Sequence, residues 1–163
     1  MPLKTGDYYV QNLEFNVTLC EVAWSMLPGN PKLPPEDPKM PNKGGLPRQI
    51  VVAPTGFEPK VFHIEQRDED GLYRISIDGR ITYPLNGTVA AQEHQEFGWT
   101  LDLQNEIAPN VYTIATGEKQ WYLADDAPDT PVTLKKPQKS DKLNVFMWIL
   151  SPATASAHTQ SGE

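Results

Sequence analysis

Short phrases of five to nine residues, rich in Val, Ile, Thr or aromatic side chains, run along the whole chain. DYYVQN, FNVTLCEVA, QIVVA, KVFHIEQ, LYRISI, RITYP, TVAAQ, GWTLDL, NVYTIA, QWYLA, PVTLKK and NVFMWIL read as strands. Such side chains fit a pleated, half-buried surface. Turn residues punctuate them: DEDG at 68–71, IDGR at 77–80, PLNG at 84–87 and DDAPDTP at 125–131. No segment sustains a 3.6-residue apolar repeat. VAAQEHQEF at 89–97 has room for a turn or two of helix, but its apolar positions do not recur. The pattern predicts an all-β fold.

The phrases also repeat. Gly6-Asp7-Tyr8-Tyr9-Val10, Gly71-Leu72-Tyr73-Arg74-Ile75 and Asn110-Val111-Tyr112-Thr113-Ile114 each place a tyrosine two residues after a turn residue and two before a β-branched aliphatic. Phe62-His63-Ile64, Trp99-Thr100-Leu101 and Trp148-Ile149-Leu150 each carry an aromatic and an aliphatic on one side of a strand. Between each opener and its closer there is room for two more strands. Three units of four strands is the β-trefoil pattern, in which paired hairpins close a short barrel. The expected domain is 1–150. SPATASAHTQSGE, at 151–163, is small and polar and reads as a disordered tail.

The first unit is longer than the second: Tyr8 and Tyr73 lie 65 residues apart, Tyr73 and Tyr112 only 39. Most of the excess is one stretch, Ser25 to Gln49, SMLPGNPKLPPEDPKMPNKGGLPRQ, which holds seven of the 16 prolines. It falls between the second and third strands, so it reads as a loop within one domain and not as a linker. Proline fixes its own φ and pushes the residue before it into extended geometry. A stiff, exposed, extended segment loses little entropy when a partner grips it. Proteases bind substrates in that form, and trypsin-like enzymes take Lys or Arg into an acidic specificity pocket. The stretch offers Lys32, Lys39, Lys43 and Arg48. Lys32-Leu33 and Lys39-Met40 each follow a proline.

Composition narrows the function classes. The 163-residue chain is one domain's length, with 39% hydrophobic and 21% charged residues, a globular balance. Its net charge of −7 argues against an extended nucleic-acid or anionic-membrane surface. No apolar run marks a secretory leader, and none is long enough to span a bilayer. Cys20 is the single cysteine, so no intramolecular disulfide forms. These features lead us to expect a cytoplasmic monomer. Phosphate-loop, zinc-protease, nucleophile-elbow and Cys-x-x-Cys signatures are all missing. Cys20 reads as a buried structural thiol, and His63 as a surface residue set opposite Phe62 and Ile64 in the strand alternation. The acidic pairs read as turns, not as a calcium loop. No catalytic residue, metal or cofactor is expected.

The ordered phrases LPRQIVVAPTGFEPKVFHIEQ at 46–66, DGLYRISIDGR at 70–80, QEFGWTL at 95–101, NVYTIAT at 110–116 and DTPVTLKKP at 129–137 resemble one known family. It is that of the cospin-like β-trefoil serine-protease inhibitors of mushrooms. The resemblance implies a trefoil scaffold, no cofactor, intracellular accumulation and inhibition of trypsin-like proteases through a surface loop. In the best-described member of that family the reactive residue lies between the second and third strands and is an asparagine, which makes Asn30 a candidate beside Lys32, Leu33, Lys39, Met40 and Lys43. Here the loop is longer and richer in proline, and Pro31 directly follows Asn30. Two other readings share the fold: an inhibitor of papain-like cysteine proteases, and a carbohydrate-binding module using Trp24 or Trp121 as a stacking platform.

Overall fold

The computed structural model describes residues 3–23, 47–54, 56, 58–67 and 71–153. Twelve strands carry the described residues: β1 (Gly6–Asn12), β2 (Leu19–Ala23), β3 (Arg48–Val52), β4 (Val61–Gln66), β5 (Tyr73–Ile77), β6 (Arg80–Leu85), β7 (Thr88–Gln92), β8 (Thr100–Leu103), β9 (Val111–Thr116), β10 (Lys119–Tyr122), β11 (Thr133–Lys135) and β12 (Trp148–Pro152). The fold is all-β, with almost no helix.

Pairing divides the strands into a ring and a cap. β1 pairs with β4, β4 with β5, β8 with β9, β9 with β12, and β12 with β1. The Tyr73–Trp99 bridge joins β5 to the start of β8, each residue's N–H donating to the other's carbonyl at 2.8 and 2.7 Å. These six strands close on themselves, so none presents a free edge. The other six form the hairpin pairs β2–β3, β6–β7 and β10–β11. β3 and β11 both pair with β7, and a Val51–Pro131 bridge completes the cap.

Local sequence explains the tight corners. Asp78-Gly79 and Asn86-Gly87 all have positive φ, the paired left-handed conformation of a two-residue hairpin turn whose twist suits antiparallel strands. Gly98 is required for a different reason. A Cβ there would meet the Leu72 side chain at 2.8 Å, so the chain entering β8 lies too close to its neighbour for any other residue.

The ring encloses a core whose largest buried side chains are Trp99, Trp121, Trp148, Phe62 and Phe146. The three indoles meet edge to face, Trp99 to Trp121 at 5.5 Å and Trp121 to Trp148 at 5.9 Å. Cys20, Val51 and Ala53 form a small second cluster on the other face of β2 and β3.

Three sequence expectations change. NVFM does not extend the last strand; Leu143–Phe146 is a single 3-10 turn. That turn buries Val145 and Phe146 and presents the Val145 carbonyl to Leu123 N and to Asn12 Nδ2. FNVT is a turn before β2, because Asn12 Oδ1 accepts Glu14 N and Phe15 N and Asn16 has positive φ. At the C-terminal end β12 runs to Pro152, past the expected boundary at 150, since Ser151 and Pro152 pair with Tyr9 and Tyr8. The rest of the expected tail, 154–163, lies outside the described residues. VAAQ belongs to strand β7, with no helix there.

Candidate functional site

The site begins with the β2–β3 pair. Leu19 faces Val52, Cys20 Val51, Glu21 Ile50, Val22 Gln49 and Ala23 Arg48. Adjacent strands of such a ladder lie about 5 Å apart, so the connection 24–47 departs from and returns to one point. The stem beneath it is well anchored. Leu19, Ile50 and Val52 enter the main core, and Cys20, Val51 and Ala53 pack on the opposite side. β3 is pinned further by Arg48–Ala91 and Gln49–Ala90 pairs with β7.

The candidates Asn30, Lys32, Leu33, Lys39, Met40 and Lys43 lie outside the described residues, as does Trp24. Arg48, counted among the loop's basic side chains by sequence, is instead a half-buried member of β3, and Pro47 before it is buried. The stem thus takes up the last residues of the proline-rich stretch.

A charged group that sequence reading passed over stands in the stem. Glu21 Oε2 accepts a hydrogen bond from Arg80 Nη1 at 2.9 Å. Beside it, Asp78 in the β5–β6 turn accepts from Lys60 Nζ at 2.9 Å. Burial, followed by the hydrogen bond to Asp78, pushes the Glu21 carboxyl up to about 7. Asp78 is held below its ordinary range by the Glu21 hydrogen bond and then by Lys60. The signal was available in the alternation: Glu21 has the parity of Leu19, a core residue, so a carboxylate stood at an inward-facing position.

The remaining candidates resolve simply. Cys20 is buried, and burial raises its thiol pKa, which keeps it neutral and unreactive. His63 is exposed, with Nδ1 2.8 Å from Asp7 Oδ1, a surface pair. His94 is an exposed turn residue with positive φ. Trp121 is fully buried in the indole row, so it cannot stack on a sugar.

The fold is similar to several solved structures, each covering 93% of this chain. A proteinase inhibitor from Coprinopsis cinerea superposes with a TM-score of 0.67 at 16% identity over 99% of its own chain. A ricin B-like lectin from Macrolepiota procera gives 0.60 at 13% over 99% of its chain. The Rhizoctonia solani agglutinin gives 0.62 at 11% over 98%. At these identities the likeness establishes the fold alone, and that fold serves both inhibitors and lectins. Among curated proteins none matches the sequence significantly. A family model described as Peptidase inhibitor I66, however, matches residues 1–144, spanning all twelve strands but the last. The chain therefore belongs to the Peptidase inhibitor I66 family, whose members are inhibitors of peptidases and not enzymes.

Proposed function

We propose that the protein is a β-trefoil inhibitor of trypsin-like serine proteases that blocks the active cleft with its 24–47 connection. The trefoil reading is supported by the ring and cap of strands. β1 and β4, β5 and β8, and β9 and β12 supply three pairs to the ring, and the intervening hairpins supply three pairs to the cap.

The observation that carries the inhibitory reading is the anchored stem. A ladder packed on both faces ends at the Ala23–Arg48 pair, the point at which the proline-rich, lysine-bearing connection leaves the sheet in the sequence. The prolines of that connection restrict its backbone, which would lower the entropic cost of binding, and proteases hold substrates in extended form. The key position would carry Lys32, Lys39 or Asn30. A lysine would pair with the acidic specificity pocket, and the proline before it would restrict the backbone on its N-terminal side. The protein would act as a cytoplasmic monomer without a cofactor.

A panel of trypsin, chymotrypsin, subtilisin and papain, each incubated with the protein, tests this reading. Inhibition of trypsin at micromolar protein or below is expected, with one of Lys32→Ala, Lys39→Ala and Asn30→Ala abolishing it. Inhibition of papain alone would move the target to cysteine proteases. Full activity of every enzyme would overturn the proposal.

A further inference from the structure

Glu21 sits where a strand of this kind usually buries an aliphatic side chain, and its side chain is only 4% exposed. Arg80 satisfies Oε2, but Oε1 is buried with no hydrogen-bond partner as an ionised acceptor. Beside it stands the Asp78 carboxyl, itself fixed by Lys60. Two facing carboxylates repel and neither can donate; a single shared proton turns the contact into a hydrogen bond. That proton resides on Glu21, the more deeply buried partner, while Asp78 stays ionised against Lys60.

The other groups facing Glu21 do not remove the conflict. Arg48 on β3 and Arg80 on β6 favour the ionised carboxyl, but burial and Asp78 outweigh them. Lys60 is committed to Asp78, and the neighbouring Cys20 thiol is neutral. Glu21 pairs with Ile50 only two residues before the Ala23–Arg48 pair, where the 24–47 connection leaves the ladder.

We propose that Glu21 is a positioning residue for this connection, a proton-operated clasp at its stem. With the proton in place, the Glu21–Asp78 bond ties β2 to the β5–β6 turn. When the proton leaves, that tie is lost and the Arg80 pair alone remains. The stem then loosens at the Ala23–Arg48 end of the ladder, from which the connection departs. The positioning role rests on the reading of that connection as the inhibitory segment; the clasp itself does not.

Three measurements on the full chain decide the matter. A carbon-13 NMR titration of the Glu21 carboxyl in the unmodified protein should show a midpoint near 7, and a midpoint near 4.5 overturns the clasp. Amide exchange in β2 and β3 should be alike in the wild type and Glu21→Gln at pH 5.5, because the amide reproduces the protonated carboxyl. At pH 8.5 the wild-type stem should exchange about tenfold faster than the variant. A ratio that stays flat with pH overturns the clasp, whatever the protein inhibits. The inhibition constant, as the wild-type to variant ratio against one peptidase, should rise over the same range. A flat ratio there, with exchange responding, overturns the positioning role. If no peptidase is inhibited, positioning falls together with the inhibitory reading, while exchange and titration still decide the clasp.

Discussion

Tyr112 of β9 and Trp148 of β12 face each other directly across their ladder. Tyr8 stands in the same relation to Phe62, and Tyr73 to Trp99. All six side chains are buried. The phenols of Tyr8 and Tyr112 are raised above their ordinary range, by burial first and then by neighbouring tyrosines of the same set. A tyrosine facing a second buried aromatic is thus used three times around the ring, at each of three strand pairings that close it.

Phe62, the partner of Tyr8, is wholly buried. Phe62→Ala should cost about 3–5 kcal/mol, the usual loss for deleting a buried aromatic. A thermal melt followed by circular dichroism should move down by roughly 10 °C. Inhibition per folded molecule should be unchanged, since Phe62 lies in the platform and not in the connection.

Thr82 of β6 ties together two strands of the ring, β5 and the start of β8. Its hydroxyl donates to the Ile75 carbonyl at 2.6 Å and accepts from Trp99 Nε1 at 2.9 Å. Thr82→Val keeps the shape but strands a buried indole N–H and a carbonyl. The expected cost is about 2–3 kcal/mol, measured by denaturant unfolding. Thr82→Ser should recover most of it.

Asn12 is fully buried and uses both ends of its amide. Nδ2 donates to Val145 O at 3.2 Å, and Oδ1 accepts Glu14 N and Phe15 N. Asn12→Ala should cost roughly 2–3 kcal/mol in unfolding free energy, because the 3-10 turn and the β1–β2 turn both lose a partner.

Glu21 makes stability depend on pH. Its folded-state pKa, about 7, lies above the ordinary 4.5. Between these values the folded protein binds the proton that the unfolded chain releases. The contribution is therefore complete below about 4.5 and is lost as pH rises to about 7, beyond which it is flat. The melting temperature of Glu21→Gln minus that of wild type should rise across this window. A difference independent of pH would contradict the assignment.

Cys20 should not react with a thiol reagent in the native state, being buried with its thiol raised by that burial. One equivalent should react on unfolding. Rapid native labelling would show that β2 opens far more readily than the ladder implies.

Most of the architecture was legible because strand chemistry is local. Short runs rich in β-branched and aromatic residues located the twelve strands, and Asp78-Gly79 and Asn86-Gly87 marked two of their turns. The tyrosine openers and aromatic closers were visible as phrases; that they face one another required the ladders. NVFM misled because its apolar residues are buried by a 3-10 turn, a solution composition does not separate from a strand. FNVT misled because the Asn12 side chain, three residues upstream, diverts the backbone into a turn. At the candidate site, sequence placed the connection between the second and third strands but missed its footing. Glu21, Lys60 and the Asp78–Arg80 turn come from three separate segments, and only the fold brings them together.

Inhibition is proposed to lie in the 24–47 connection, with the rest of the fold as its platform. Trypsin titrated with the wild type and with a variant whose residues 25–46 are replaced by a short Gly-Ser turn tests it most directly, once both proteins show the same circular dichroism and melting behaviour. Inhibition by the wild type is expected, with a loss of at least about a hundredfold in the variant, equivalent to removing a few kcal/mol of binding. Undiminished inhibition by the variant, or none by the wild type, would contradict it.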